Sequence, residues 1–499
     1  MSAPEKSWIC TVCGYVHHGP VAPEVCCICG ATSDLFELQE EAPPAPAAAA
    51  PTASRWRCLN CEYIHDGDAP PEFCPVCGAP PERFEPVAAA APAIGTAEAG
   101  RVVIVGAGIA GVSAAEAARK HAPDAEILLL SKEEPLPYYR LNLTRYLAGE
   151  VGKDELVLQS DAWFKEQNIQ VQMGCELCAI DPAKKTLALR DGQSLSYDRL
   201  VLAMGAHPFI PPFPGATREN VTALRTLADA DRILSAAGEG TRCAVIGGGL
   251  LGLETAGALA RRGADVTLLE GHGWLLPRQL NQTAARYLEA KVEETGIKLR
   301  RQARTQELIG EEGVRGVLLE DGDTIDAELV VIATGVRSNT YIARMAGLEV
   351  NRGIVVNDHL QTSQPDIFAA GDVAEHRGVA YGTWGPSQFQ GTMAGLNAVG
   401  GAAEFAGMPR SNMLKVLGYD LFSIGQVKPE DASYREVEGL HEGHYYSFIF
   451  RDSHMVSAIL MGDTALSAAV KRVAEQKEDC ADLLAARPSV AEVMAFLGR

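Results

Sequence analysis

Eight cysteines near the start of the chain have the spacing of metal ligands. The chain has 13 cysteines, and nine of them precede residue 78. Two C-x2-C pairs about a dozen residues apart can close a tetrahedral site of four thiolates, which suits zinc or iron. The spacing alone leaves both metals open. The arrangement occurs twice, as Cys10, Cys13, Cys26 and Cys29 and again as Cys58, Cys61, Cys74 and Cys77.

The two cysteine sets belong to a duplicated segment. Each cysteine of the second set follows its counterpart by 48 residues, and other residues repeat at the same offset. So many matches at one offset indicate a tandem repeat. A unit of roughly 30 residues buries too little apolar surface to fold unaided, so the metal must supply much of its folding free energy. The matched pairs include Trp8 and Trp56, Tyr15 and Tyr63, His17 and His65, and Phe36 and Phe84.

The residues around the ligands favour iron. The segments Cys10-Thr-Val-Cys13-Gly-Tyr15 and Cys74-Pro-Val-Cys77-Gly78 resemble rubredoxin, in particular the short rubredoxin-like domain of rubrerythrins. Glycine after a ligand lets backbone N–H groups approach the sulfur, and such hydrogen bonds tune an iron–thiolate potential. The resemblance implies two mononuclear Fe(Cys)4 sites, with zinc as the alternative occupant.

Charge and composition narrow the class of protein. Hydrophobic residues make up 47% and charged residues 22%, as in folded soluble proteins. The net charge of −20 argues against nucleic acid as a partner, because that binding depends on Lys and Arg. No stretch approaches the roughly 20 apolar residues of a membrane span, and no signal-peptide pattern opens the chain. We therefore expect a cytoplasmic protein, where thiols stay reduced.

Two Ala/Pro-rich tracts, at 39–54 and 87–100, separate the cysteine modules from each other and from the rest of the chain. Such tracts favour an extended, semi-rigid chain, so they predict tethers on which a module can move. Residues 1–86 contain 4 Lys and Arg against 12 Asp and Glu. Acidic modules should dock on basic surfaces, and more weakly as salt concentration rises.

A glycine motif after the second tract predicts a dinucleotide-binding fold. The apolar run 101–105 reads as a buried strand, and the helix that follows the motif extends to Arg119. A second strand, 126–130, leads to Glu133, which lies 22 residues beyond the third glycine. In this context the glycines admit a pyrophosphate at the helix N-terminus, and the acid accepts ribose hydrogen bonds. The motif consists of Gly106, Gly108 and Gly111.

A second strand, glycine motif and helix of the same kind follow about 140 residues later. A strand at 243–246 leads to a second glycine motif and a helix through Arg261, and a further strand, 265–269, ends at Glu270. A carboxylate there favours a free ribose 2′-hydroxyl and would repel a 2′-phosphate, so NADH is predicted over NADPH. The motif consists of Gly247, Gly249 and Gly252.

Residues 101 to about 400 resemble the FAD-dependent pyridine-nucleotide oxidoreductases. Ala369-Ala-Gly-Asp372-Val373 is similar to that family's second flavin motif, so Asp372 is expected to bind the ribityl or pyrophosphate part of FAD. Ala203-Met-Gly205 and Ala333-Thr-Gly335 are similar to the motifs where the chain crosses between the FAD and NAD domains. The resemblance implies one tightly held FAD and one exchanging NADH.

One segment points to a branch of that family. Leu136–Gly149 resembles the flavin-facing loop and helix of NADH:rubredoxin oxidoreductases, the NADH-oxidising part of nitrite reductases, and ferredoxin reductases. By that resemblance Arg140 lies at the flavin. A nitrite reductase needs further cysteines downstream, whereas only Cys480 follows Cys243. A disulfide reductase, an NADH oxidase or a peroxidase would need a redox cysteine near the flavin, and the expected positions have none.

The predicted fold class is α/β, with two Rossmann-like FAD and NAD domains, a C-terminal α+β domain and two small rubredoxin-like metal modules. The C-terminal region should contain strands at 415–424, 444–450 and 455–461, then helices. The predicted boundaries are 5–38 and 55–86 for the modules, 39–54 and 87–100 for the linkers, 101–217 with 327–405 for the FAD-binding domain, 218–326 for the NAD-binding domain and 406–499 for the C-terminal interface domain.

Two functional hypotheses follow. The first is an NADH-dependent flavoprotein oxidoreductase that passes electrons through FAD to its own iron modules and on to an external redox protein. The alternative is an FAD-dependent NAD(P)H reductase whose modules are zinc ribbons that dock it to a larger redox complex. Hydride transfer requires no acid–base side chain, so no catalytic residue is predicted. A homodimer and a subunit of a larger complex both fit the sequence.

Overall fold

The fold of this chain was obtained as a computed structural model. The structure describes residues 6–10, 16–19, 33, 36–39, 55–58, 64–66, 69–72, 81–86, 100–408, 411–416, 418–425, 427–429 and 431–498. Six of the eight predicted metal ligands lie outside the described residues, namely Cys13, Cys26, Cys29, Cys61, Cys74 and Cys77.

Each N-terminal module contains a small three-stranded antiparallel sheet of its own, with the same strand order in both modules. The strands are β1 (Lys6–Cys10), β2 (Val16–Gly19) and β3 (Phe36–Gln39) in the first module, and β4 (Arg55–Cys58), β5 (Ile64–Asp66) and β6 (Phe84–Pro86) in the second. In each, the first strand lies between the other two. The sequence repeat is therefore also a structural repeat. The equivalent paired residues are Trp8 with His17 and Trp56 with His65, and Cys10 with Phe36 and Cys58 with Phe84.

The region between residues 101 and 398 contains both strands and helices. The first half contains β7 (Arg101–Val105), α1 (Ile109–His121), β8 (Glu126–Leu130), α2 (Leu143–Ala148), α3 (Asp161–Glu166), β9 (Gln170–Gln172), β10 (Leu177–Asp181), β11 (Thr186–Leu189), β12 (Ser194–Ser196), β13 (Arg199–Leu202), β14 (Ala206–Pro208), β15 (Val221–Thr222), α4 (Leu227–Ala236), β16 (Arg242–Ile246), α5 (Leu250–Arg261) and β17 (Asp265–Glu270). The second half contains α6 (Gln282–Glu294), β18 (Lys298–Arg301), β19 (Thr305–Gly310), β20 (Val314–Leu319), β21 (Thr324–Asp326), β22 (Leu329–Ile332), β23 (Val336–Ser338), α7 (Tyr341–Met345), β24 (Ile354–Val356), β25 (Ile367–Ala369), β26 (Ala374–His376) and α8 (Trp384–Ala398).

Two parallel five-stranded sheets form the centres of two similar units. The first unit has the strand order β25-β13-β7-β8-β9, and the second has the order β15-β22-β16-β17-β18. Each unit also contains a three-stranded antiparallel sheet, β10-β11-β12 in the first and β19-β20-β21 in the second. Because β25 returns to the first sheet, the second unit is inserted within the first. The predicted boundary at residue 327 is too early by one strand, since β22 pairs with β16 in the second sheet.

Glycines allow two helices of the first unit to pack closely. A Cβ atom on Gly391 or Gly395 of α8 would collide with the backbone carbonyl of Ala110 or Ala114 on α1. The two helix backbones are therefore nearly in contact, and neither can move away without opening the core. This packing holds the N-terminal end of α1, where the first glycine motif lies.

The C-terminal region is a five-stranded antiparallel sheet covered by helices. Its elements are β27 (Ser411–Val416), β28 (Tyr419–Gly425), β29 (Tyr434–His441), β30 (His444–Arg451), β31 (His454–Met461), α9 (Ser467–Glu475), α10 (Ala481–Ala485) and α11 (Val490–Leu497). The predicted single strand at 415–424 is wrong, because a turn at Gly418 with a φ of +81° divides it. The sequence prediction also missed β29. None of the described helices is long and apolar enough to cross a membrane.

Candidate functional site

A large cavity lies where the two units and the C-terminal sheet meet. Its volume is about 2040 Å³, whereas pockets for single small ligands occupy roughly 300–1,000 Å³. The first unit contributes the turn at Gly108 and the segment around Asp372, the second contributes Glu254 on α5, and the C-terminal domain contributes Lys428 and Lys471. The space is large enough for a dinucleotide and a second ligand together.

The first glycine motif forms the turn that the sequence predicts. Gly106 has a φ of +109°, and a Cβ atom there would collide with the carbonyl oxygen of Ala203. A Cβ on Gly111 would collide with the carbonyl oxygen of Gly106, so α1 starts directly against the turn. Gly108 faces open space and lines the cavity. The exposed N–H groups at the start of α1 fit a pyrophosphate.

The second glycine motif repeats this geometry. Gly247 has a φ of +114°, a Cβ on Gly252 would collide with the carbonyl oxygen of Gly247, and Gly249 faces open space. These three glycines are not among the described residues that line the cavity, but Leu250, Glu254 and other residues of α5 are. The second unit therefore presents one face of α5 to the cavity.

Glu270 is bonded to the backbone of its own unit. Its Oε2 accepts a hydrogen bond from Gly248 N at 2.8 Å, and its Oε1 accepts one from His272 N at 2.7 Å. The side chain is buried. Each carboxylate oxygen has a second lone pair, so the carboxylate can still accept a ribose hydroxyl. The role of Glu270 in choosing NADH stays a prediction.

Glu133 and Arg140 form one cluster in the cavity wall. Arg140 Nη2 donates to Glu133 Oε1 at 2.6 Å, and the Tyr138 hydroxyl donates to Glu133 Oε2 at 2.6 Å. Arg140 also donates to the Tyr138 hydroxyl at 3.0 Å and to the backbone carbonyl of Arg225. Burial raises the pKa of Tyr138 well above its usual range. The cluster fixes the predicted ribose-binding acid in place.

Asp372 is held at the cavity by a residue that the sequence prediction missed. Arg225 Nη2 donates to Asp372 Oδ2 at 2.7 Å, and the two residues are 147 positions apart in the chain. Ser338 Oγ donates to the backbone carbonyl of Asp372 at 2.6 Å, and the Gln390 side chain accepts from the N–H of the preceding Gly371 at 2.9 Å. These bonds orient the carboxylate that is expected to bind FAD.

A buried indole at the cavity wall has an unsatisfied donor. Trp384 stacks on Tyr139 with ring centroids 5.5 Å apart and an interplanar angle of 20°. Trp384 lines the cavity, and its Nε1 has no hydrogen-bond partner among the described residues. A buried N–H without a partner costs about 1–3 kcal/mol. A ligand that fills the cavity and carries acceptor atoms, as FAD does, would relieve this cost.

Glu254 is a half-buried acid at the cavity wall that the sequence prediction also missed. It projects from α5 of the second unit and accepts a hydrogen bond from Thr144 Oγ1 of the first unit at 3.0 Å. Burial raises the pKa of Glu254 to about 7, and the bond from Thr144 opposes that shift. The carboxyl group therefore changes charge near neutral pH, at the junction of the two units. It is the only charged residue between Leu250 and Ala260, which is the sequence signal that could have identified it.

Replacing Glu254 with glutamine should remove a pH dependence of the free energy of unfolding. Folding raises the pKa of Glu254. The stabilisation that this group contributes is therefore fully present below its unfolded pKa of about 4.5 and is lost as pH rises through about 7. We expect a loss of about 2 kcal/mol between pH 5 and 8 in the parent, allowing for water in the cavity, and none from this group in E254Q. Urea denaturation at pH 5 and pH 8 measures the free energy of unfolding of each variant.

The T144V variant should shift the loss of stability to higher pH, because the bond from Thr144 lowers the pKa of Glu254. If the free energy of unfolding depends on pH equally in the parent and in E254Q, Glu254 is not the group responsible.

The cavity wall is basic although the chain is acidic. The described lining residues include nine Lys and Arg against six Asp and Glu, whereas the whole chain has a net charge of −20. Such a wall attracts anionic ligands and acidic protein surfaces. The basic residues are Lys132, Arg140, Arg145, Arg225, Arg261, Arg278, Arg344, Lys428 and Lys471.

The predicted metal ligands are described only in part. Cys10 ends β1, and Cys58 ends β4 at the equivalent position. Among the residues that the structure describes, no cluster of His, Cys, Asp and Glu could hold a metal ion. Two other cysteines lie outside these sets: Cys175 is in the loop before β10, and Cys178 is on β10 and exposed.

Comparison with known proteins identifies the class. The family model of pyridine nucleotide-disulphide oxidoreductases matches residues 100–394, which is more than half of the chain. The chain therefore belongs to this family. The model of the rubredoxin NAD+ reductase C-terminal domain matches residues 411–478, and the model of the rubrerythrin rubredoxin-like domain matches twice, at 8–37 and 56–85.

The chain is similar to relatives of more than one named activity. It is 30% identical over 378 residues to the NADH-rubredoxin oxidoreductase of Clostridium acetobutylicum, an alignment that covers 76% of this chain and 95% of that protein. It is 37% identical over 368 residues to the nitrite reductase [NAD(P)H] of Bacillus subtilis, which covers 73% of this chain and 46% of that one. The chain spans about half the length of the first curated relatives it matches.

A solved structure supports the same fold. The covalent putidaredoxin reductase–putidaredoxin complex has a TM-score of 0.70 and 28% identity, over 76% of this chain and 93% of that one. The predicted α/β fold class is confirmed, and so is the predicted class of enzyme, an FAD-dependent oxidoreductase with rubredoxin-like domains. The roles of individual site residues and the identity of the metals stay predictions.

Proposed function

We propose that the protein oxidises NADH and passes the electrons to its own two rubredoxin-like iron sites and then to an external redox protein. The observation that carries this proposal is the single cavity shared by the two units. The first glycine turn and Asp372 of the first unit line it, and so do residues of α5 of the second unit. A nicotinamide held by the second unit would therefore meet the ring system held by the first.

Separate sets of residues would bind FAD, NADH and iron. Gly106, Gly108 and Gly111 with Glu133 and Asp372 would hold FAD, while the second glycine motif and Glu270 would hold NADH. When bound, FAD takes up a hydride from NADH and can release electrons singly. Each set of four cysteines would hold one iron, which accepts one electron. The two modules together match the two electrons of one NADH.

The proposed partners and location follow from charge and from thiol chemistry. The named relative acts on rubredoxin, a small one-electron carrier, and the two modules of this chain resemble such carriers in tandem. Their acidic composition suits an external acceptor with a basic surface. A cytoplasmic location would keep the eight ligand thiols reduced and ready for metal.

Anaerobic titration with NADH tests the proposal by stoichiometry. With iron in both modules, full reduction should consume two equivalents of NADH per chain, one for the flavin and one for the two irons together. The ferric–thiolate absorption should bleach along with that of the flavin. Metal analysis of the same sample should give close to two irons per chain. An end point at one equivalent, with two zinc ions per chain, would overturn electron transfer to the modules and support zinc ribbons used for docking.

A further inference from the structure

One side chain of the second module contacts the C-terminal domain. Arg83 ends the 3-10 turn Pro81–Arg83, directly before β6. Its Nη2 donates to the backbone carbonyl of Thr464 at 3.0 Å, and its Nη1 donates to that of Ala465 at 3.2 Å. These partners are more than 380 residues away in the chain, so the bonds join two separate domains. The neighbouring Phe84 is buried.

The acceptors of this guanidinium are held in place by their own domain. Asp463 Oδ1 accepts from Ala465 N at 2.9 Å, and Asp463 Oδ2 accepts from the Tyr446 hydroxyl at 3.3 Å. The carbonyl of Thr464 also accepts from Ser467 N at 3.0 Å, where α9 begins. A guanidinium presents its donors in a rigid fork, which suits the backbone carbonyls of two adjacent residues. Little ordering is needed to form the contact.

The first module lacks the residue that makes this contact. The repeat offset of 48 places Leu35 at the position of Arg83. Leucine has no donor for the two carbonyls, so the first module cannot occupy the same site through the same bonds. The duplicated modules therefore differ at the position that reaches the C-terminal domain.

The contact lies beside the cavity. Helix α9 begins at Ser467, two residues beyond Ala465, and Lys471 on this helix lines the cavity. Four residues of helix span about 6 Å. The second module is thus attached at one end of the helix whose next turn forms part of the cavity wall.

We propose that Arg83 holds the second module on the C-terminal domain beside the cavity, and that this module receives electrons before the first one does. The order of transfer rests on the proposed function. Each ferric site takes one electron and becomes ferrous, so the second module must pass its first electron to the first module before it takes another. The first module, on its own tether, would then meet the external acceptor.

Hydrogen exchange tests the docking without any redox chemistry. In the full chain, R83L copies the residue of the first module, and R55L removes the same charge from the same module as a matched control. We expect amides in a peptide covering 463–467 to exchange about tenfold faster in R83L, because two charge-assisted bonds are lost, and to be unchanged in R55L. Equal exchange in the two variants would overturn the docking, whatever the modules do with electrons.

Stopped-flow absorbance tests the order of transfer. In a C10S/C13S background only the second module retains its metal, and adding R83L should slow its bleaching by NADH about tenfold, with unchanged flavin reduction. If exchange rises but the bleaching rate does not change, the docking stands and the order is overturned. If no variant bleaches after flavin reduction, the proposed function fails, and the exchange result alone still decides the docking.

Discussion

Replacing Gly111 with alanine should yield a purified protein without flavin. The added Cβ atom would collide with the carbonyl oxygen of Gly106. That carbonyl cannot move easily, because Gly106 itself lies against the backbone of Ala203 with a φ of +109°. Helix α1 cannot move away either, because Gly391 and Gly395 of α8 lie against its backbone. Overpacking of this kind costs about 3 kcal/mol, which corresponds to at least about a 100-fold loss of FAD affinity.

The second glycine motif supplies a matched control. In G252A the added atom would collide with the carbonyl oxygen of Gly247 in the same way. We expect G252A to remain yellow and to require about 100-fold more NADH for flavin reduction, while G111A binds NADH but no flavin. The ratio of flavin absorbance to protein and calorimetric titration with FAD and NADH measure both effects. Loss of the same ligand in both variants would contradict the assignment of one motif to each cofactor.

These glycines were predictable because the motif is local. Strand, turn and helix follow one another within about a dozen residues, and the predicted strands at 101–105 and 126–130 agree with β7 and β8. The turn requires glycine, because its backbone has a positive φ and leaves no room for a Cβ atom, and the turn places the helix. The same reasoning succeeds for β16, α5 and β17 of the second unit.

The rest of the candidate site depends on contacts between distant segments. Thr144 and Glu254 are 110 residues apart, and Arg225 and Asp372 are 147 apart. No periodicity reveals that such residues meet, because the meeting follows from how the two units pack. The contact of Arg83 with the C-terminal domain is of the same kind.

Two of the errors in the sequence prediction are the missed strand β29 and the boundary that assigned β22 to the first unit. In β29 only Val437 and Leu440 are aliphatic, and charged and polar residues surround them, so the strand lacks an apolar face that a pattern could detect. Cross-strand pairing with the buried strand β30 holds it in the sheet. β22 consists only of aliphatic residues. A buried apolar strand of this kind fits either of the two neighbouring parallel sheets, so its sequence does not assign it to one of them.

Removing the thiolate ligands from both modules should stop electron delivery to a protein acceptor and leave the flavin reaction intact. The variant C10S/C13S/C58S/C61S removes half of each ligand set, so neither site can close a tetrahedron of sulfurs. Flavin reduction by NADH should be unchanged, because the cavity lies in other domains. Reduction of cytochrome c, a basic one-electron acceptor, should fall by about 100-fold under anaerobic conditions, because only the recessed cavity remains to supply electrons.

Two further measurements, the salt dependence of the reaction and the use of a small acceptor, distinguish modules that carry electrons from zinc ribbons that only dock. The parent should reduce cytochrome c more slowly as ionic strength rises, because acidic modules would meet a basic partner. Ferricyanide, which can enter the cavity, should be reduced at the same rate by parent and variant. If the modules are zinc ribbons, cytochrome c reduction with parent and variant should be equally slow. An iron-loaded parent that also shows no advantage over the variant would contradict the role of the modules as electron carriers.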